Sequence, residues 1–457
     1  MTSSSWPGAG DAVDRRGGTS SKDQEDSWGW FVTNSSPVQV YNLDIRDLVV
    51  GRHAESCRLV VDEEMFDAMN HDFGGEDFVR ISRRHLTISK SEGEVRAVLT
   101  DLSLNGTWVD GVKVGKGRQI ILNHCSVVAL LGQEWTCFQY LDRNIMEATF
   151  HQCITSKYLV GRELGSGTTS TVRTGYKIVD DNKVRQFALK MIQRKEDAGQ
   201  SKFPIDSKIE VKVMKGLNHP CLLKIHEVLK SDTDMVIVMD LASGGELFDL
   251  VHDHYLSKTL SESSTKIYFY QIVHCVNYLH SNQVCHRDLK LENILLANDD
   301  DISQIKIIDF GLSKTWRCPK DPLVTYVGTP VYMAPEVTKL EKESSDIISS
   351  TSTYTSKVDC WSLGVILYTM LSGKRPFTSG LELEARIMSG RYRPMDGKEW
   401  VSISKAAKHL VKKLLEVDPE ARLSTSQILD HPWFVEDEGS VNYAKRIMFG
   451  KKYLGEE

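Results

Sequence analysis

His286-Arg-Asp-Leu-Lys-Leu-Glu-Asn293 is the stretch on which the reading of this chain turns. It sets an acid, a cation and an amide close together, the groups that position a hydroxyl against a phosphoryl group. Asp288 would accept or orient the proton of the attacking hydroxyl, and Lys290 would stabilise the charge of the transferred group. Asn293 would ligate Mg²⁺, a hard cation that prefers oxygen donors and keeps phosphate oxygens and water in its shell. Asp309-Phe310-Gly311 and Ala334-Pro335-Glu336 follow in order. Asp309 would be the second metal ligand, bridging to nucleotide phosphates.

Working upstream, Gly165-Ser-Gly167-Thr-Thr-Ser170 lies between Leu164 and Val172. Glycines there let the backbone approach phosphate oxygens and donate N–H groups. The third glycine of a G-x-G-x-x-G loop is replaced by Ser170. Phe187-Ala-Leu-Lys190 follows in a strand-like run, and Glu210 lies in a helical segment over 208–217. The pair would set Lys190 against α- and β-phosphate charge, with Glu210 holding it.

In this order the segments resemble a Ser/Thr protein kinase. The resemblance implies a catalytic set of Asp288, Lys290, Lys190 and Glu210. It implies an ATP site made by Leu164, Gly165, Ser166, Gly167, Val172, Ala188, Lys190, Asp240, Ala242, Glu246, Asn293 and Asp309. Asp240-Leu-Ala242 would be the hinge. Arg287 would face a phosphate in the activation segment, with Thr325 and Thr329 as the phosphosites and Lys314 contributing charge. Glu246, in Gly244-Gly-Glu-Leu-Phe248, and Glu292 form a carboxylate pair that favours arginine upstream of the phosphoacceptor.

The first third of the chain has a different pattern. Val38-Gln-Val-Tyr41, Val95-Arg-Ala-Val-Leu99 and Val127-Val-Ala-Leu130 are β-prone, while Asn105-Gly106 and Asp110-Gly111 are turn signals. Short strands without a long helix predict a β-sandwich. Gly51-Arg52, Ser82-Arg83-Arg84-His85 and Asn105-Gly106-Thr107 occur inside it and resemble a forkhead-associated domain, which binds phosphothreonine. Arg52, Ser82 and Arg83 would bind the phosphate, Asn105 the peptide backbone, and His85 would brace the loop from within.

A forkhead-associated domain ahead of a Ser/Thr kinase resembles the checkpoint kinase 2 family. Gly244-Gly-Glu-Leu-Phe-Asp249, Asp359-Cys-Trp-Ser-Leu-Gly364 and His431-Pro-Trp433 extend the likeness. The resulting expectation is multidomain: an N-terminal β-sandwich, then a two-lobed α+β kinase fold. Residues 1–27 would be disordered, 28–141 the phosphothreonine-binding domain, 142–157 a linker, 158–434 the kinase and 435–457 a tail. The resemblance implies DNA-damage or meiotic double-strand-break signalling in the nucleus, with phosphothreonine-driven homodimers activating in trans. Three features depart from the family. The tail after 434 has Lys445-Arg446 and Lys451-Lys452 but no clear nuclear-import cluster. Residues 1–27 hold no Ser-Gln or Thr-Gln, the only Ser-Gln pairs being at Ser303 and Ser426, and Leu291 stands where proline is usual. An upstream signal on a different partner, a meiosis-specific role and a phosphothreonine adaptor with little kinase activity stay open as alternatives.

Composition fits this reading. A net charge of -6 argues against direct nucleic-acid or anionic-membrane binding. Nine cysteines without a C-x-x-C pair suit reduced thiols. The apolar run over 363–371 is too short to span a bilayer and reads as a buried helix. Residues 261–280 and 405–415 have helical spacing, and 344–356 reads as a Ser/Thr-rich surface loop.

Overall fold

The computed structural model describes the chain from residue 27 to 450, apart from 36, 45, 70–74, 92–93, 95, 168–169, 180–182, 194, 198–199, 203–204, 258–259, 311, 316–329, 343–355, 379 and 381. Of the expected disordered segment 1–27 and the loop over 344–356, all but Ser27, which is buried, and Ser356 therefore lie outside the described residues. Two compact units emerge, one of residues 1–193 with 228–238 and one of 194–227 with 239–457.

The first unit opens with the sandwich. Its six-stranded sheet runs Val40–Leu43, Gly29–Thr33, Thr136–Asp142, Val127–Leu130, Thr107–Val109, Val112–Lys113. Its five-stranded partner runs Leu59–Val60, Asp47–Gly51, Leu86–Ser89, Ala97–Asp101, Gln119–Leu122. Leu86–Ser89 and Ala97–Asp101 alternate buried with half-buried residues, the period of a sheet with one covered face. Between the sheets lie Phe31, Val50, Ile88, Leu99, Val128 and Phe138, with the Phe31 and Phe138 rings stacked at 4.8 Å. Asp110 and Gly111, both at positive φ (51° and 78°), close the two-residue hairpin that pairs Val109 with Val112.

Gly29–Thr33 does not alternate, because all five residues are buried. Its second face joins another apolar layer. Trp30, Val32 and Leu141 pack there with Met146, Ile154, Tyr158, Val160, Tyr176, Leu189 and Val236. The last four belong to a second sheet, in the order Leu159–Ser166, Ser170–Val179, Lys183–Gln193, Asp234–Asp240, Ile225–Lys230. Gln139 accepts from the Tyr176 hydroxyl at 3.3 Å across this layer. The stretch read as a linker holds two short helices, Arg143–Thr149 and Gln152–Thr155, capped by Asp142 and His151 side chains.

The second unit is helical. Glu262–Ser281 and Lys357–Ser372 carry the runs of helical and continuous apolar spacing, and Lys405–Leu414 matches its expected span. Among the described residues no helix is long and apolar enough to cross a membrane. The stretch read as a tail forms the helix Glu438–Phe449, whose Asp437 cap accepts from Ser440 N and from Lys266 Nζ at 2.7 Å.

Candidate functional site

Two constellations take shape, one in each unit. In the second unit, the ribbon of Ile294–Leu296 against Ile305–Ile307 brings Asn293 and Asp309 to one end. Ile308 N donates to Asn293 O at 3.0 Å, fixing that register. Asn293 Nδ2 donates to Asp288 O and Oδ2 at 2.8 and 2.9 Å, and Lys290 Nζ meets the same Oδ2 at 2.9 Å. Two donors on one oxygen fix the Asp288 rotamer and leave Oδ1 as the oxygen open to an incoming proton. The amide's donors are spent on Asp288, which leaves the Asn293 Oδ1 as an acceptor. An amide oxygen and the exposed carboxylate of Asp309 form a hard-oxygen donor set, which fits a divalent cation such as Mg²⁺.

Arg287 and Asp309 both hold positive φ, at 70° and 65°, a conformation that costs energy for non-glycine residues. Asp359 holds the first in place. It is fully buried, and it accepts from Arg287 N at 2.8 Å, His286 N at 2.9 Å and Cys285 Sγ at 3.2 Å. Burial alone would raise its pKa. The His280 hydrogen bond and charge, with the charge of His286 and the Arg287 N–H, outweigh that and hold it down at about 2. His286 braces from the other side, accepting from Asp288 N at 3.3 Å through Nδ1 and donating to Ile308 O at 3.0 Å through Nε2. Arg287 Nε is spent on Leu312 O at 2.8 Å.

The sequence reading gave Asp359 no role, because its partners lie more than 70 residues away along the chain. The signal that could have found it is a lone acid opening an otherwise apolar helix. Arg422 was missed likewise. It is 1% exposed, and it holds both oxygens of Glu336, at 2.8 and 2.9 Å.

The hinge residues Asp240 and Ala242 belong to this unit, and the Asp240 carboxylate is taken by His226 Nε2 at 2.6 Å. Gly244 passes so close to Asn298 O that a Cβ would sit 1.9 Å from it, and Gly245 holds φ 79°. Only glycine fits this turn, and it delivers Glu246 to a bridge with Leu295. Burial, then Asp249 and Glu292, raise the Glu246 pKa against the pull of Lys290. Glu210, 4% exposed on Ile205–Lys215, also belongs to the second unit. Thr325 and Thr329, and Gly311, fall outside the described residues; for Lys314 only its pairing with Cys285 is described.

In the first unit Leu164, Gly165, Ser166 and Gly167 end one strand of a hairpin whose return strand carries Val172, paired with Lys190, while Thr174 pairs with Ala188. A Cβ on Gly165 would meet nothing within 4 Å, so the loop has room for a ligand. Gly167 N closes the turn on Ser170 O at 2.8 Å, with serine in the third position.

The same unit brings together Arg52, Ser82, Arg83 and Asn105. Arg52 N and His53 N donate to Ser82 O and Arg83 O, at 3.3 and 3.2 Å. A Cβ on Gly51 would lie 2.4 Å from Arg83 O, so glycine sets this close approach. Ser82 Oγ accepts from Leu104 N at 3.2 Å, and Asn105 Nδ2 donates to Arg80 O at 2.7 Å. Arg52 and Arg83 are exposed, and Arg52 Nε on Ile81 O at 2.7 Å leaves its terminal nitrogens for an anion. His85 is fully buried, accepting from Ser82 N at 3.1 Å and donating to Gly106 O at 3.0 Å. One ring thus ties the loop of the phosphate-binding candidates to that of Asn105.

Comparison with known proteins finds a domain family for each of two stretches of the chain. Residues 158–434 match the protein kinase domain and 48–131 the FHA domain. The chain is 36% identical to the ovarian-specific serine/threonine-protein kinase Lok of Drosophila melanogaster, over 83% of this chain and 78% of that one. It is 32% identical to the meiosis-specific serine/threonine-protein kinase mek1 of Schizosaccharomyces pombe, over 76% of this chain and 75% of that one. It is 31% identical to the serine/threonine-protein kinase cds1 of the same yeast, over 78% of each.

Proposed function

Because the chain belongs to the checkpoint kinase 2 family of FHA-domain Ser/Thr protein kinases, we propose that the geometry around Asp288 performs the phosphoryl transfer that defines this family. A kinase domain uses ATP and a divalent metal, and an FHA domain binds phosphothreonine peptides. On our reading the metal is Mg²⁺, held by Asn293 and Asp309, where its charge would offset that of the phosphates. Asp288, its Oδ2 fixed by Lys290 and Asn293, presents Oδ1 to the substrate hydroxyl and takes its proton. Lys290 is then placed to meet charge on the transferred group. Lys190, oriented by Glu210, and the Gly165–Gly167 backbone hold the remaining phosphates. Leu164, Val172, Ala188, Asp240 and Ala242 enclose the adenosine. The observation that carries this reading is the convergence of Lys290 Nζ and Asn293 Nδ2 on one carboxylate oxygen of Asp288.

Further readings rest on the family and on charge. Glu246 and Glu292 favour protein substrates with arginine upstream of the phosphoacceptor. Arg52, Ser82, Arg83 and Asn105 take the phosphothreonine, drawing two copies or a phosphorylated partner together. Trans-phosphorylation of Thr325 and Thr329 then activates the kinase, with Arg287 as the cation read to receive the phosphate. The setting is nuclear DNA-damage or meiotic double-strand-break signalling, and the likeness to the meiosis-specific mek1 leans towards the meiotic branch. We assign 28–141 to the FHA domain and 158–434 to the kinase.

Phosphosite mapping after incubation with Mg²⁺-ATP at several protein concentrations tests the whole scheme. Concentration-dependent phosphate on Thr325 is expected, and Thr325→Ala should lower activation far more than ATP affinity. Full activation of that variant would rule out the switch. Equally low ATP turnover by wild type and Lys190→Met would instead favour an adaptor.

A further inference from the structure

The two carboxylates that read arginine do not have equal surroundings. Glu292 Oε1 lies 3.7 Å from Arg375 Nη2, and the Arg375 guanidinium sits 5.9 Å from the Phe248 ring centroid. A cation from this chain therefore stands at one acid and over the aromatic ring of the turn that carries the other. Arg375 follows the buried helix Lys357–Ser372 in Gly373-Lys374-Arg375-Pro376-Phe377. Its neighbours pin it: Lys374 Nζ meets Glu399 at 2.8 Å, and buried Phe377 stacks on Trp361 at 5.6 Å. The second Glu292 oxygen is buried near Tyr332, whose hydroxyl pKa is pushed up first by burial and then by the Glu292 charge. Tyr332 therefore keeps its proton and carries no charge, and among the described residues Arg375 is the cation paired with this acid.

Glu246 stands differently. Among the described residues no lysine or arginine forms an ion pair with Glu246 or with Asp249. The two acids and Glu292 crowd negative charge together, which is why the Glu246 proton is held more tightly than usual, burial contributing most. The Arg375 side chain is 40% exposed and that of Glu292 26%, so a substrate reaches both.

We propose that Arg375 is a specificity-determining residue that fills, from within the chain, the place a second substrate arginine would take at Glu292. The kinase then reads one upstream arginine, at Glu246 and Asp249, and gains little from another. An incoming guanidinium at Glu292 meets a carboxylate already neutralised and a like charge beside it. This rests on the preference for upstream arginine proposed above, and the test separates the two.

Full-length protein is assayed on a peptide array with arginine at each upstream position, singly and in pairs. Arg375→Met keeps an apolar stem over Phe248 and removes the charge; Arg375→Lys keeps the charge. Wild type and Arg375→Lys should select arginine at one position, with less than about a twofold gain from a second. Arg375→Met should gain about tenfold in kcat/KM from a second arginine, mainly through KM, the worth of one charge-assisted hydrogen bond. Adding Glu292→Gln should remove that gain. Identical arrays for wild type and Arg375→Met, with arginine selected at one position, overturn the role of Arg375 alone. No selection of arginine by any of the proteins overturns it together with the preference on which it rests.

Discussion

His85 works only while one ring nitrogen is free of a proton. Its Nδ1 accepts from Ser82 N and its Nε2 donates to Gly106 O, so a second proton would turn the acceptor into a donor facing a donor. Burial lowers its pKa below the ordinary 6.5, and the Gly106 carbonyl and Asp101 charge oppose this only in part. In the unfolded chain His85 binds its proton near the ordinary value, whereas the folded protein resists until lower pH. Stability is therefore full above about pH 6.5 and declines as pH falls from there toward the folded pKa. Urea unfolding at about pH 7.5 and about pH 5.5 should show this loss, and it should shrink in His85→Asn. The comparison with the variant is needed because burial lowers the pKa of His124 and His219 as well. At this scale the motif residues were legible, since an acid, a histidine or an arginine announces its chemistry by type. Asp359 was not, because an acid's role here depends on backbone N–H groups that folding brings from far along the chain.

At the scale of the element, the catalytic loop is a short irregular segment held by the helices beneath it. The positive φ of Arg287 persists because Asp359, at the head of Lys357–Ser372, takes two successive N–H groups of the loop. Asp359→Asn replaces one acceptor oxygen by a donor amide, so one of these bonds is lost and the loop relaxes. A misplacement of about 1 Å costs roughly a hundredfold in rate. Asp359→Asn should accordingly lower kcat by about a hundredfold while the affinity for a phosphothreonine peptide is unchanged. Steady-state kinetics and fluorescence titration on the same preparation check both arms. Elements with strong internal period were legible here, among them Glu262–Ser281 and Lys405–Leu414. Glu63–Met69 and the two helices after Asp142 were not, because helices this short owe their stability to packing rather than propensity.

At the scale of the whole molecule, the apolar layer behind Gly29–Thr33 joins the sandwich to the kinase sheet within one compact unit. Trp30 is 3% exposed in that layer, with the Arg143 guanidinium 5.5 Å from its ring. Trp30→Ala should cost about 3 kcal/mol, the usual loss for a large core aromatic. Calorimetry should show it as one shifted transition for this unit rather than a separate early melt of the sandwich. The sequence suggested a linker over 142–157 between the two domains. Composition cannot reveal a strand buried on both faces unless its residues stop alternating, and Gly29-Trp-Phe-Val-Thr33 does just that.

That layer bears on inheritance. A module recognised by its own core can be moved between genes intact, but here each side of the layer is shaped to the other. Val160, Tyr176 and Leu189 would meet a stranger's sheet if the phosphopeptide module were exchanged at residue 141, and Trp30 and Leu141 would lie bare if it were moved alone. A viable crossover between relatives must carry the helices after Asp142 and the glycine hairpin along with the sandwich. The seam along which this chain can be recombined runs through the kinase, past residue 238, rather than in front of it.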